Sequence, residues 1–327
     1  MTPVVLMGLG EIGQAIARAA LTVPDLEIVG AIDIAPERVG KMLGDVLRAA
    51  APDVKITNIP DEAFRLAKGG VVLHATSSRL EKVLGEIEGA LRAGLSVVST
   101  CEELACPWVR HPQVADQIER LAQKRNVTVL GAGVNPGFVL DRLVATLGQV
   151  VGKVERVEGL RVVDASRRRP ALQRKIGAGL SEEDFNRGVE EGFVGHVGLM
   201  ESAALAAMGV GHSVDEVDEE ILPVRAETEQ RAPWGTVKVG EISGVRQVAR
   251  AFDEGREVAR LELVIELGAK NPRDEINIVG EPTLSLSIPG GTPGDEASAW
   301  SVVHAAALVG QLAESGLITV LDLPAGR

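Results

Sequence analysis

The first thirteen residues restrict this chain more than any other stretch. A short apolar, β-branched run, Val4–Met7, leads into Gly8-Leu9-Gly10-Glu11-Ile12-Gly13, and an Ala-rich helical stretch, Gln14–Leu21, follows. Each glycine has a separate job. Gly8 permits a tight strand-to-helix turn, Gly10 leaves the backbone bare for a pyrophosphate, and Gly13 lets the helix approach the strand. The phosphate charge then lies at a helix N-terminus, where unpaired N–H groups and the macrodipole favour an anion. A lone G-x-G-x-x-G is weak, and an ordinary glycine turn is the alternative. Here a second strand-like run, Glu27–Ile32, ends at Asp33, twenty positions after Gly13. That is where an acceptor for a ribose 2′-hydroxyl belongs. The combination predicts a dinucleotide site. Asp33 repels a 2′-phosphate and favours NAD over NADP; Arg38 is near enough in sequence to soften that preference and admit NADP.

Short strand-like runs alternate with helical ones as far as residue 136. The strands expected are Val4–Met7, Glu27–Ile32, Val54–Ile56, Val71–Ala75, Ser96–Ser99 and Val127–Gly131. The helices expected between them are Ile12–Leu21, Pro36–Ala50, Asp61–Ala67, Arg79–Ala93 and Pro112–Arg125. Such alternation reads as a doubly wound parallel sheet of the Rossmann type, which binds ligands at the carboxyl ends of its strands. After Gly137 the rhythm changes to longer strand-like runs with a few helices, the pattern of an α+β domain with a mixed sheet. Ser181-x-x-Asp184 offers a capping box there. A Gly/Pro-rich crossing, Pro289–Asp295, precedes a helix at Glu296–Glu314 that is expected to return to the first domain. The division expected is residues 1–136 plus 296–327 for the dinucleotide domain and 137–295 for a substrate and dimerisation domain.

Composition narrows the function classes. The net charge of −12 argues against nonspecific nucleic-acid binding and suits a cationic small substrate. No apolar run approaches the roughly eighteen residues of a membrane span. Met1-Thr2-Pro3 enters the first strand without a basic leader, so a cytoplasmic setting is expected. Two cysteines are too few for a disulfide scaffold or a zinc knuckle, and no metal is expected. There is no tyrosine, which excludes a Tyr-x-x-x-Lys proton relay. Acid/base work falls to Glu, Asp, His, Lys or Cys.

Three strand ends carry candidate chemistry: Thr76-Ser77-Ser78, Thr100-Cys101-Glu102-Glu103 and Gly133-Val134-Asn135-Pro136-Gly137. Either glutamate alone reads as a solvated loop acid or the start of a helix. Two adjacent acids at a ligand-facing strand end favour a general acid/base beside the nicotinamide, its pKa raised by partial burial. Asn135 reads equally as a turn residue and as an amide that orients cofactor or substrate. Arg161–Gly179 gathers six basic residues, including Arg167-Arg168-Arg169, into an otherwise acidic chain. Arg161 is the first choice for gripping a substrate carboxylate, because it falls inside a strand run. His196, in Gly195-His196-Val197-Gly198, is a second-rank candidate, and His74 is expected to satisfy local backbone.

At these residues the chain resembles the 2,4-diaminopentanoate dehydrogenase family and the related native amine dehydrogenases, which share a fold with dihydrodipicolinate reductase. The resemblance rests on Ser99–Leu104, Gly131–Phe138, Leu172–Gly179, Gly195–Leu199 and Gly290–Asp295, which span nearly the whole chain. It implies NAD(P)-dependent oxidative deamination of an amine to a ketone plus ammonia, and the reverse, by a homodimer. It also implies a glutamate acid/base, carried onto Glu102 and Glu103 with preference for Glu102. The cofactor would meet Gly8, Gly10, Glu11, Ile12, Gly13, Asp33, Arg38, Ala75, Thr76, Ser77 and Asn135. The substrate would meet Asn135, Phe138, Arg161 and His196. The His-His-x-x-Lys signature of dihydrodipicolinate reductases is absent, which disfavours that activity. The alternatives are an ammonia-independent ketone or imine reductase and a non-catalytic NAD-binding redox sensor.

Overall fold

The computed structural model describes residues 1–166, 170–312 and 315–324. The chain divides into two compact units, Met1–Phe138 with Pro293–Arg327, and Val139–Thr292.

The first unit opens with β1 (Thr2–Met7), α1 (Glu11–Ala20) and β2 (Leu26–Ile32), followed by α2 (Leu43–Leu47), β3 (Ile56–Thr57) and α3 (Pro60–Phe64). It continues with β4 (Val71–His74), α4 (Leu80–Arg92), β5 (Ser96–Ser99), α5 (Pro112–Arg125) and β6 (Thr128–Gly131). The β-branched strands are buried on both faces, as a parallel sheet demands. The sheet order is β3-β2-β1-β4-β5-β6, with a seventh strand, β15 (Gly316–Ile318), beyond β6. All its pairs are parallel. The order reverses between β1 and β4, the switch point at which such sheets open a ligand crevice. Helix α10 (Gly294–Val309) packs on α1, β4 and β5, so the C-terminal helix does return to the first unit.

The second unit begins with α6 (Arg142–Gly148) and β7 (Lys153–Asp164), then α7 (Pro170–Lys175), α8 (Glu182–Glu190) and α9 (Leu199–Gly209). Then come β8 (Glu216–Arg225), the hairpin β9 (Gln230–Ala232) and β10 (Gly235–Val237), β11 (Ile242–Asp253), β12 (Arg256–Glu266), β13 (Arg273–Glu281) and β14 (Leu284–Pro289). Six strands form a mixed sheet in the order β14-β13-β7-β12-β11-β8, in which β7 and β12 are parallel and the other pairs antiparallel. Apolar helix α9 covers one face. Ser181 caps α8 by accepting the Asp184 N–H, as its spacing predicts.

The helix expected at Pro36–Ala50 is shorter, Leu43–Leu47. Residues 36–42 are not helical, because Gly40 turns with φ +83 and the backbone pairs with β3 instead. Gly40 N–H donates to Ile56 O, Ile56 N–H to Lys41 O, and Leu43 N–H to Val54 O. In the second unit, Gly195 and Gly198 both hold positive φ, and α9 starts only at Leu199.

The glycine turn has little slack. A Cβ on Gly13 would fall on the Gly8 carbonyl oxygen, whereas one on Gly10 would meet nothing within 4 Å. Gly13→Ala should therefore destabilise the first unit by about 1–3 kcal/mol. Gly10→Ala should leave the melting temperature essentially unchanged. Thermal denaturation of both variants checks this.

Candidate active site

In the first unit the register brings the predicted residues together. Met7 pairs with His74, and His74 with Ser99, so β1, β4 and β5 end level. Gly8, Ala75 and Thr100 therefore leave the sheet side by side. Gly8 stands at φ +87, and a Cβ there would lie 2.5 Å from Ala75 O. Glu11 and Ile12 form the first turn of α1 with Gly10 at its N-cap. The open space over Gly10, at the N-terminus of α1, fits a dinucleotide pyrophosphate.

Asp33 is buried at the end of β2. Its carboxylate accepts Leu9 N–H at 2.7 Å and Ala35 N–H at 2.8 Å. It thereby braces the glycine turn, a role beyond the ribose acceptor read from the sequence. Arg38 pairs with the same carboxylate at 3.1 Å and remains 27% exposed. The acid's charge is thus partly masked where a 2′-substituent would approach.

The adjacent glutamates separate. They sit in a 3-10 turn, Glu102–Leu104. Glu103 is 3% exposed. It receives Arg79 Nη1 at 2.8 Å, Leu80 N–H at 2.7 Å and His111 Nε2 at 3.2 Å. Burial alone would raise its carboxyl pKa. The Arg79 and Leu80 hydrogen bonds and the nearby positive charge outweigh burial and hold it below the usual range. Glu103 is therefore an anchor that ties its turn to the start of α4 and to the residue before α5. A stabilised carboxylate with three donors is a poor proton carrier, which weighs against the catalytic role expected for Glu103. Glu102, one residue earlier, is half-buried.

Other contacts tighten the same turn. Cys101 Sγ donates to Ser78 O at 3.3 Å, and burial pushes its thiol pKa far up, so it is an inert packing group. A Cβ on Gly131 would come within 2.5 Å of Leu104 and Ala105 backbone, so the end of β6 is pressed against the turn. Beyond β6, Asn135 is 8% exposed and Val134 N–H reaches Ser298 Oγ on α10. Phe138 is partly exposed. Ser77 Oγ accepts Arg79 N–H at 3.4 Å.

His74 departs from its expected backbone role. Its ring meets side chains: Ser99 Oγ at 2.7 Å, Glu86 Oε2 at 2.8 Å and Thr76 Oγ1 at 2.9 Å.

In the second unit, Arg161 and Asp274 form a buried pair, with Arg161 Nη1 at 2.9 and 2.8 Å from the two carboxylate oxygens. Arg161 Nη2 donates to Thr292 O, and Thr292 N–H donates to Asp274 Oδ2. This corrects the expectation that Arg161 grips a substrate carboxylate: an internal acid already fills that place. Arg167, Arg168 and Arg169 lie outside the described residues. His196 is held by a residue the sequence reading missed. Gln247, wholly buried, accepts His196 N–H at 2.8 Å and donates to His196 O and to Glu219 Oε1, both at 2.7 Å. Cross-strand register puts Gln247, Leu263, Arg161 and Asp274 in one row.

Among the described residues no group of three or more His, Cys, Asp or Glu is placed to hold a metal ion. Among them, too, no helix is long and apolar enough to cross a membrane.

The fold is that of NAD(P)-binding dehydrogenases. An amine dehydrogenase from Mycobacterium smegmatis superposes with a TM-score of 0.85 over 99% of this chain and 96% of that one, at 22% identity. A dipicolinate-bound dihydrodipicolinate reductase from Paenisporosarcina sp. TG-14 matches with a TM-score of 0.52 over 96% of each chain, at 14% identity. The 2,4-diaminopentanoate dehydrogenase of Acetoanaerobium sticklandii is 30% identical over 345 aligned residues, which cover 99% of this chain and 94% of the relative. Residues 138–327 match the family described as the 2,4-diaminopentanoate dehydrogenase C-terminal domain. This oxidoreductase chain therefore belongs to the 2,4-diaminopentanoate dehydrogenase family.

Proposed function

We propose that the chain is an amine dehydrogenase that oxidises a primary amine to a ketone plus ammonia, and runs in reverse with ketone and ammonium, using Glu102 as acid/base. One observation carries this reading. Glu102 stands half-buried in the 3-10 turn that follows β5, at the carboxyl edge of the parallel sheet where such folds bind their ligands.

When bound, the nicotinamide supplies a hydride acceptor at C4. The chain does the rest. Glu102 takes a proton from the substrate ammonium, so the nitrogen lone pair is free to push hydride from the adjacent carbon. An iminium results. After losing its proton to solvent, Glu102 takes one from a water as the water oxygen bonds to the iminium carbon. The same proton returns to nitrogen, and Glu102 takes the hydroxyl proton as the C–N bond breaks, releasing ammonia and leaving the ketone. Holding carbon and ring at contact distance supplies much of the acceleration, and the proton relay adds about 10²–10⁴-fold.

Asn135 and Phe138 line the substrate side in this reading. Because Arg161 is paired with Asp274, it does not select for a substrate carboxylate, and small alkyl amines are substrates beside 2,4-diaminopentanoate. NAD is the preferred cofactor, because Leu9 and Ala35 fix the Asp33 carboxylate, and Arg38 allows some use of NADP. The chain works as a homodimer. The sheet face opposite α9 carries Arg246 paired with Glu262 and Arg250 with Asp218, charges a second copy can match. A cytoplasmic setting suits its two free, buried cysteines.

An amine panel with NAD⁺ tests the activity; no turnover on any member, 2,4-diaminopentanoate and alkyl amines included, overturns it. Glu102→Gln should lower turnover about 10²–10⁴-fold with little change in NAD⁺ affinity. Arg38→Ala should weaken NADP⁺ more than NAD⁺, read from the ratio of kcat/KM values. Glu103→Gln should instead cost about 1–3 kcal/mol of stability near neutral pH. Because the folded carboxyl has the lower pKa, its contribution is complete above the unfolded pKa and fades as pH falls through the folded one. The gap in melting temperature between wild type and Glu103→Gln should therefore close in acid.

A further inference from the structure

The buried imidazole at the end of β4 has no part in the chemistry above, yet both ring nitrogens are engaged. His74 is 1% exposed. On one side Nδ1 lies 2.7 Å from Ser99 Oγ, and Ser99 Oγ accepts Cys101 N–H at 3.0 Å. That amide opens the turn that carries Glu102. On the other side Nε2 lies 2.8 Å from Glu86 Oε2 and 2.9 Å from Thr76 Oγ1, and Thr76 Oγ1 donates to the same carboxylate oxygen at 2.6 Å. Thr76 in turn abuts the glycine turn, its Cγ2 3.0 Å from where a Gly8 Cβ would stand.

Glu86 only accepts, since its hydrogen bonds from His74 and Thr76 outweigh burial and keep its carboxyl pKa low. Nε2 therefore carries a proton. Ser99 Oγ accepts from Cys101 and keeps a second lone pair and its own proton, so its bond to Nδ1 holds with either partner donating. One ring thus spans two loops: the cofactor loop through Glu86 and Thr76, and the Glu102 turn through Ser99 and Cys101.

We propose that His74 is a positioning residue that sets these two loops separately, one through each ring nitrogen. Nε2 fixes Thr76 against the glycine turn and thereby affects cofactor binding. Nδ1 fixes the Cys101 amide and thereby the placement of the acid/base. The inference rests on the amine dehydrogenase reading and goes beyond it in assigning residues that touch neither substrate nor reacting atoms.

The two nitrogens can be removed one at a time. An asparagine amide reaches the position of Nδ1 and a glutamine amide that of Nε2. His74→Asn should keep the Ser99 link and lose Glu86 and Thr76, raising KM for NAD⁺ about five- to tenfold, the factor one hydrogen bond is worth, with kcat near wild type. His74→Gln should do the reverse: kcat falls by a similar factor while KM for NAD⁺ holds. Glu86→Gln and Ser99→Ala repeat the split without touching the ring, and serve if the His74 variants do not fold. The proposal is overturned if the members of each pair change the same parameter in the same proportion, or if neither parameter moves. Glu102→Gln measured alongside separates this claim from the one beneath it. An inactive Glu102→Gln with no split overturns the bridge alone; an active one overturns the acid/base reading and the bridge with it.

Discussion

A carboxylate withdrawn from water holds the active-site turn in place. Glu103 gathers Arg79, the Leu80 amide and His111 around one buried charge. Breaking a buried charged pair by removing one partner is costly, because the other group is left unsatisfied. The turn after β5 therefore cannot drift without exposing that debt to the rest of the fold. Its neighbour Glu102 shares that turn.

The parallel sheet supplies the second constraint. Strands ending level at Met7, His74 and Ser99 force three loops to leave from one edge. Helix packing does the rest: Gly13 and Gly131 admit α1 and the Glu102–Leu104 turn so closely that neither position has room for a methyl group. The close approach of these loops is thus set by main-chain geometry before any side chain is chosen.

Much of this architecture was readable in the sequence because it is periodic or local. β-branched runs alternating with helical ones announce the parallel sheet, and Ser181 with Asp184 announces a cap. The glycine turn and Asp33 lie within a single βαβ unit. What escaped depends on distant partners. Residues 36–42 have helical composition, yet Gly40 and pairing with β3 override it. Two adjacent glutamates look alike until Arg79, 24 positions away, selects one. Arg161 looks like a free guanidinium until Asp274, 113 positions away, meets it. His74 finds Ser99 at a separation of 25 and Glu86 at 12. Gln247 has no local signature at all, since a buried amide that brackets a backbone 51 positions away reads as any strand residue.

The row across the second sheet has a consequence of its own. Gln247, Leu263, Arg161 and Asp274 are successive neighbours across β11, β12, β7 and β13. One end of the row grips His196; the other grips Thr292, the last residue before the chain re-enters the first unit. Leu263 is wedged between the two grips and buried. A bulkier or smaller residue there shifts both ends at once, since packed interiors transmit displacement and do not absorb it. Divergence within this lineage should therefore change these four positions as a block, with the wedge setting the pace for its polar flanks.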